Sequence, residues 1–103
     1  MHPAVQQRLS ELPAICQARR VRRLWLFGSA ASGGFDPSAS DLDLVVEFAA
    51  MPVAEYARNY FALHAALEGL FGRPVDLVER PAIRNPYFRR AVEETQVSLY
   101  EAA

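Results

Sequence analysis

Lysine is absent from this chain of 103 residues, although eleven arginines are present. A Walker-type phosphate-binding loop needs its lysine, and Schiff-base catalysis needs a lysine amine, so both classes of function are excluded. Cysteine and histidine are scarce, since only Cys16, His2 and His64 occur. One cysteine cannot build a disulfide framework, and two distant histidines without cysteine partners do not form a zinc site.

Long apolar runs are also missing. No stretch of the sequence approaches the roughly 20 apolar residues that a membrane-spanning helix needs. Residues 1–12, "MHPAVQQRLSEL", lack the basic and apolar regions of a signal peptide. A single cysteine is typical of a protein that works in a reducing compartment, so we expect a cytoplasmic location and no membrane partner.

An excess of charge of either sign is absent too, because the formal net charge is −1. Direct binding of nucleic acid is therefore not expected, since such binding depends on basic residues that neutralise phosphates. Hydrophobic residues make up 51% of the chain, which is enough for a folded core. The length predicts a single domain over residues 1–103.

The pattern of apolar residues predicts alternating helices and strands. Helix 53–71 is followed by Gly72 and Pro74, and Asn85 before Pro86 is typical of a helix start. The predicted helices span residues 3–18, 53–71 and 85–94, with a short one after the first strand, and the predicted strands span 21–27, 42–48, 74–79 and 97–100. This order indicates an α/β fold, a sheet flanked by helices.

Two aspartates stand at the start of the second predicted strand, "LDLVVEF". Side chains alternate along a strand, so Asp41 and Asp43 share one face with Val45 and Glu47. Neighbouring carboxylates repel each other unless a positive charge lies between them, and Mg²⁺ prefers oxygen ligands of this kind. A solvated strand face would carry aspartates equally well, so the pair alone leaves both interpretations open.

Two further features favour a metal and phosphate site. Asp76 lies in the apolar run "PVDLVE", where aspartate is disfavoured in a strand. If the two strands are neighbours, Asp76 joins Asp41 and Asp43. Gly28 and Ser29 follow the first strand and open a segment rich in backbone N–H groups, which suits an anion such as a phosphate.

The combined pattern, "FGS…SDLDLVVEF" followed by "VDLVE", resembles the minimal nucleotidyltransferases of the DNA polymerase β superfamily. The resemblance covers nearly the whole chain and implies a mixed β-sheet flanked by helices. It assigns Gly28 and Ser29 to phosphate binding. It assigns Asp41, Asp43 and Asp76 to catalysis as ligands of Mg²⁺, with two ions expected and ATP as substrate.

The sequence departs from the family pattern in two places. Eleven residues separate Ser29 from Asp41, one more than the common spacing. Many relatives carry arginines soon after the serine, where this chain has "AAS" at residues 30–32. Either Arg80 or Arg84 could replace such a clamp on the triphosphate.

The resemblance also implies a reaction and a partner. Minimal nucleotidyltransferases of this size are typically encoded beside a small helical HEPN protein, often a toxin, which they modify with AMP. The expected activity is therefore transfer of AMP from ATP to a hydroxyl, that of a tyrosine, on a HEPN toxin, with this chain as the antitoxin.

Two other functions were weighed. A non-catalytic antitoxin would neutralise its partner by binding alone, but a degenerate enzyme would be expected to lose one of the three acids. A phosphatase of the haloacid dehalogenase type also uses an Asp-x-Asp pair. That chemistry needs the pair at the end of the first strand with a hydroxyl residue following, whereas Val45 occupies that position here.

Overall fold

The computed structural model describes residues 1–33 and 41–103, so residues 34–40 of the link between Ser29 and Asp41 lie outside the described residues. Its helices are α1 (Pro3–Gln6), α2 (Leu12–Ala18), α3 (Ser29–Ser32), α4 (Val53–Phe71) and α5 (Pro86–Thr95). Its strands are β1 (Val21–Phe27), β2 (Leu42–Phe48), β3 (Val75–Glu79) and β4 (Val97–Glu101). Two 3₁₀ turns occupy Leu9–Glu11 and Arg80–Ala82. Within the described ranges, no helix is long and apolar enough to cross a membrane.

The prediction of one continuous helix over residues 3–18 is wrong. This segment forms α1, a 3₁₀ turn and α2, with Pro13 in the first turn of α2. Proline has no N–H to donate and its ring clashes with the carbonyl four residues earlier, so a helix restarts at Pro13 instead of passing through it. The apolar positions Val5, Leu12 and Cys16 are nevertheless fully buried, as their spacing predicts.

The four strands form one mixed sheet in the order β3-β2-β1-β4. Strand β1 is antiparallel to β2 and β4, whereas β2 and β3 are parallel. Helix α4 makes the crossover that a parallel pair requires. It ends at Gly72, whose φ of 64° is the left-handed conformation that favours glycine. The predicted α/β fold, a mixed sheet flanked by helices, is confirmed.

Both faces of the sheet are covered, but unequally. On the larger side, Leu42, Leu44 and Val46 of β2 pack with residues of α2 and α4, as the alternation in β2 predicts. On the other side a smaller cluster forms around Val45, which is fully buried. Its members are Trp25, Phe27, Val45, Ile83 and Val92. The face of the sheet that carries Asp43 is therefore apolar along its middle and is not wholly solvated.

Side chains of α4 pair with backbone hydrogen-bonding groups on the outer edge of β3. The Tyr60 hydroxyl donates to the Leu77 carbonyl oxygen at 2.6 Å, and His64 Nε2 lies 2.8 Å from the Val75 carbonyl oxygen. The Val75 N–H donates to a carboxylate oxygen of Glu68 at 2.9 Å. These three α4 residues are four positions apart, so they form one stripe along the helix. The stripe fixes β3 beside β2 and leaves few edge groups of β3 open to another strand.

We expect Tyr60→Phe to lower the free energy of unfolding by about 1 kcal/mol, because it removes the hydroxyl that donates to Leu77. Tyr56→Phe is the matched control on the same helix. The Tyr56 ring packs edge-on against Phe48, and its hydroxyl has no hydrogen bond within the described part of the chain. Urea unfolding of both variants measures the difference, and equal losses would contradict the role assigned to Tyr60.

Candidate active site

Gly28 joins β1 to the short helix α3 in a conformation that only glycine adopts readily. Its φ and ψ are 70° and −150°, a region that side-chain-bearing residues avoid. A Cβ atom on Gly28 would lie 2.5 Å from a carboxylate oxygen of Asp43. The sequence predicted Gly28 as a phosphate-binding residue. The structure shows a second requirement, namely the space that lets the backbone approach Asp43.

The strand pairings bring the predicted acids to one end of the sheet. Asp43 is the register partner of Asp76 on the parallel strand β3, so both side chains leave the same face with their Cα atoms about 4.8 Å apart. Asp41 precedes β2 by one residue and lies two residues from Asp43. Asp41 and Asp76 are exposed and Asp43 is half-buried. Asp43 is therefore the central acid of the three.

The environment of Asp43 disfavours its charged form. Burial raises the pKa of the Asp43 carboxyl above its ordinary value, and the nearby charges of Asp76 and Asp41 raise it further. A bound cation would oppose both effects, since a positive charge favours ionised carboxylates. The site is thus electrostatically unfavourable by itself and suited to a cation.

The donor set fits a hard divalent cation, although its side chains are not gathered around one point. Three carboxylates are the oxygen ligands that Mg²⁺ takes in proteins, and the Asp43 carboxylate lies close against the Gly28 backbone. Across residues 1–33 and 41–103, however, no group of three acidic, cysteine or histidine side chains is arranged to hold a metal ion.

Ser29, which the sequence predicts as a phosphate-binding residue, lies directly after the Gly28 turn. It is the first residue of α3 and is half-buried. Its hydroxyl has no hydrogen bond within the described part of the chain. Ser32, one turn later, donates its hydroxyl to the Gly28 carbonyl oxygen at 3.0 Å. The N-terminal segment holds the same helix, because the His2 N–H donates to the Ala30 carbonyl oxygen at 3.0 Å.

The two arginines considered as a phosphate clamp have different surroundings. The Arg80 guanidinium lies 4.6 Å from the Trp25 ring centroid and donates to the Gln96 side chain at 3.1 Å. It therefore stabilises the packing of α5 on the sheet. Arg84 is exposed and has no hydrogen bond or ion pair among the residues that the structure describes. Of the two, only Arg84 is available to a ligand.

An apolar neighbour of the acids was missed by the sequence reasoning. Phe27 is the register partner of Asp43 on β1, so its ring leaves the same face as the carboxylate. Phe88 of α5 packs edge-on against it, with ring centroids 5.9 Å apart. The alternation along β1 was the available signal, because it places Trp25 and Phe27 on the face opposite Leu24 and Leu26.

Gly28→Ala is expected to destabilise the protein by at least the roughly 1–3 kcal/mol of a strained backbone, because the new methyl group would also displace Asp43. Gly69→Ala is the matched control. Gly69 lies within α4 with open space around it, so alanine there should stabilise the helix by up to about 1 kcal/mol. Urea unfolding measures both, and a Gly28→Ala variant as stable as the parent would contradict the steric argument.

Comparison with known proteins gives a consistent assignment. Residues 9–98 match the model of the nucleotidyltransferase domain family. "Putative protein adenylyltransferase MJ0128" of Methanocaldococcus jannaschii is 39% identical over 75 residues, which cover 73% of this chain and 72% of that protein. A second protein of the same organism, "Putative protein adenylyltransferase MJ1379", is 36% identical over 75 residues, 73% of each chain.

Solved structures share the fold. "Structure of putative minimal nucleotidyltransferase" superposes with a TM-score of 0.71 at 31% identity, covering 94% of this chain and 95% of that one. A tri-AMPylated HEPN toxin of Shewanella oneidensis in complex with its MNT antitoxin gives a TM-score of 0.63 at 17% identity, covering 94% and 72%. With a matching domain model, close sequence relatives and this architecture, the chain belongs to the minimal nucleotidyltransferase family of enzymes.

Proposed function

We propose that this protein transfers AMP from ATP to a hydroxyl group, that of a tyrosine, on a HEPN-type toxin and thereby acts as the antitoxin. The proposal includes dependence on Mg²⁺, with two ions held by Asp41, Asp43 and Asp76. It also assigns the nucleotide phosphates to Gly28 and Ser29. The nucleotidyltransferase class follows from the family, whereas the metal, the nucleotide and the acceptor are the parts proposed.

One observation carries this proposal: the Asp43–Asp76 pair lies beside the Gly28 turn. Asp43 pairs with Asp76 on one side and with Phe27, the residue before Gly28, on the other. Two acids and the Gly28 turn thus meet at the end of three adjacent strands. Carboxylates can hold metal ions and backbone N–H donors can hold a phosphate that those ions bridge.

The reaction is an in-line displacement at the α-phosphorus of ATP. The acceptor hydroxyl oxygen bonds to that phosphorus, the bond to the bridging oxygen breaks, and pyrophosphate leaves. Bound Mg²⁺ would stabilise the charge that develops on the attacking and leaving oxygens. Ser29 would hold the leaving phosphates through its hydroxyl and N–H. Asp76, the exposed acid on the edge strand, is open to the acceptor and can take its proton.

The acceptor is proposed to come from another protein. No cavity that would enclose an acceptor molecule is present among the described residues, and Asp41 and Asp76 are exposed. Two structural neighbours support the choice of partner: a toxin–antitoxin complex with AMP-PNP and the tri-AMPylated HEPN toxin bound to MNT antitoxin. A second polypeptide would complete the site by covering this surface.

The spread of the three carboxylates favours keeping a non-catalytic antitoxin as the second candidate. Because these side chains do not form a metal cluster in the described part of the chain, a protein that neutralises its partner by binding alone is consistent with the same geometry. The two candidates differ in one property. Only the enzyme depends on the charge of Asp43.

Asp43→Asn should abolish transfer while leaving the protein folded. The pKa of Asp43 is raised, so the folded state holds the proton more tightly than the unfolded chain does. The wild-type protein therefore loses stability as pH rises from 3.8, the ordinary value for this carboxyl, through the raised pKa. At pH 7 without metal, the neutral variant should thus be the more stable protein, and the difference should vanish below the ordinary value.

The measurement combines thermal unfolding with a transfer assay. Mg²⁺ with AMP-PNP should raise the melting temperature of the wild type and have little effect on Asp43→Asn. For transfer, the HEPN protein encoded nearby is incubated with labelled ATP and Mg²⁺, and added AMP is detected by mass spectrometry. Glu47→Gln is the control, since Glu47 lies on β2 but pairs with Arg22 at 3.9 Å. Tight complex formation without label, unchanged by Asp43→Asn, would favour the non-catalytic antitoxin.

A further inference from the structure

Three residues around the start of α5 form an exposed surface. Tyr87 is 85% exposed and Phe88 is 40% exposed. Arg84 precedes them, between the buried Ile83 and the helix cap Asn85, whose side chain accepts the Tyr87 and Phe88 N–H groups. We refer to Arg84, Tyr87 and Phe88 as the aromatic rim. The cap fixes the backbone of the rim without involving the two rings.

The aromatic rim reaches the candidate active site through Phe88. Phe88 contacts Phe27 at 5.9 Å between ring centroids, and Phe27 is the register partner of Asp43. Paired residues on antiparallel strands have Cα atoms about 4.5–5.5 Å apart. The Phe88 ring is thus on the order of 10 Å from Asp43, on the same face of the sheet. This separation is comparable to that between the phosphates and the base of one nucleotide.

The chemistry of the aromatic rim suits a nucleotide. A base can bind to an exposed aromatic ring by stacking on its face, and such stacking needs no enclosing cavity. Of the other exposed large apolar side chains, Met1 is the N-terminal residue, and Val53 and Phe61 belong to α4 on the opposite side of the sheet. Arg84 adds an unpaired positive charge within the described residues, which complements an anionic ligand.

We propose that the aromatic rim is the subsite for the nucleobase, which stacks on Phe88 while Tyr87 borders the base and Arg84 contacts the phosphate chain. This proposal rests on the proposed function, because it assumes a metal-bound triphosphate at Asp43 and Gly28. It assigns a binding site to the nucleobase, which the acids and the Gly28 turn do not contact. An exposed surface on a helix could instead bind the partner protein, and the test includes that outcome.

The experiment compares two ligands that share the triphosphate and differ in the base. Binding of AMP-PNP and of inorganic tripolyphosphate, each with Mg²⁺, is measured by calorimetry. Tyr87→Ala and Phe88→Leu each remove a ring, whereas Tyr87→Phe retains it. Phe61→Ala is the matched control, since Phe61 is 69% exposed on the far side of the sheet. Circular dichroism checks that each variant is folded.

We expect Phe88→Leu to bind AMP-PNP about tenfold more weakly and tripolyphosphate as tightly as the wild type does, and Tyr87→Ala to lose less of its AMP-PNP binding. Tyr87→Phe and Phe61→Ala should resemble the wild type with both ligands. Unchanged AMP-PNP binding in Phe88→Leu would overturn the subsite, and weaker binding of the HEPN partner by that variant, with AMP-PNP binding unchanged, would assign the surface to that partner. A wild type that binds neither ligand would contradict the proposed function itself.

Discussion

The close approach of the Gly28 backbone to the Asp43 carboxylate is the constraint on which the site depends. It requires a residue without a Cβ atom, in a conformation that other residues avoid, at the end of the central strand β1. Because β1 is hydrogen-bonded to both β2 and β4, it holds this turn from two sides. The turn into α3 and the position of Ser29 follow from that geometry.

The packing of the sheet fixes the relative positions of the acids. The larger apolar cluster fixes β2 against α4, while the stripe of Tyr60, His64 and Glu68 fixes the edge of β3. Together they set the register that pairs Asp43 with Asp76. Repulsion between these acids is thus imposed by a fold that is stabilised elsewhere. Electrostatic repulsion of this kind is common at functional sites, where a ligand of opposite charge can offset it.

Much of this could be predicted from local patterns in the sequence. Alternation in "LDLVVEF" separated Asp43 from Leu42 and Leu44, and Asn85 before Pro86 marked the start of α5. The break at Pro13 was missed because the apolar spacing continues across it, as the burial of Leu12 and Cys16 shows. The neighbours of Asp43 depend on strand order and register, which no local pattern encodes. For the same reason, Phe27 and the different surroundings of Arg80 and Arg84 emerged only from the fold.

The central claim is that Asp43 belongs to a cation site that binds a metal–nucleotide complex. The most direct measurement is the pKa of the Asp43 carboxyl, followed by carbon NMR without ligand and with Mg²⁺ and AMP-PNP. The account predicts a pKa above the ordinary 3.8 in the free protein and a fall below that value in the complex, because the cation favours the ionised form. The same raised pKa in both states would contradict it.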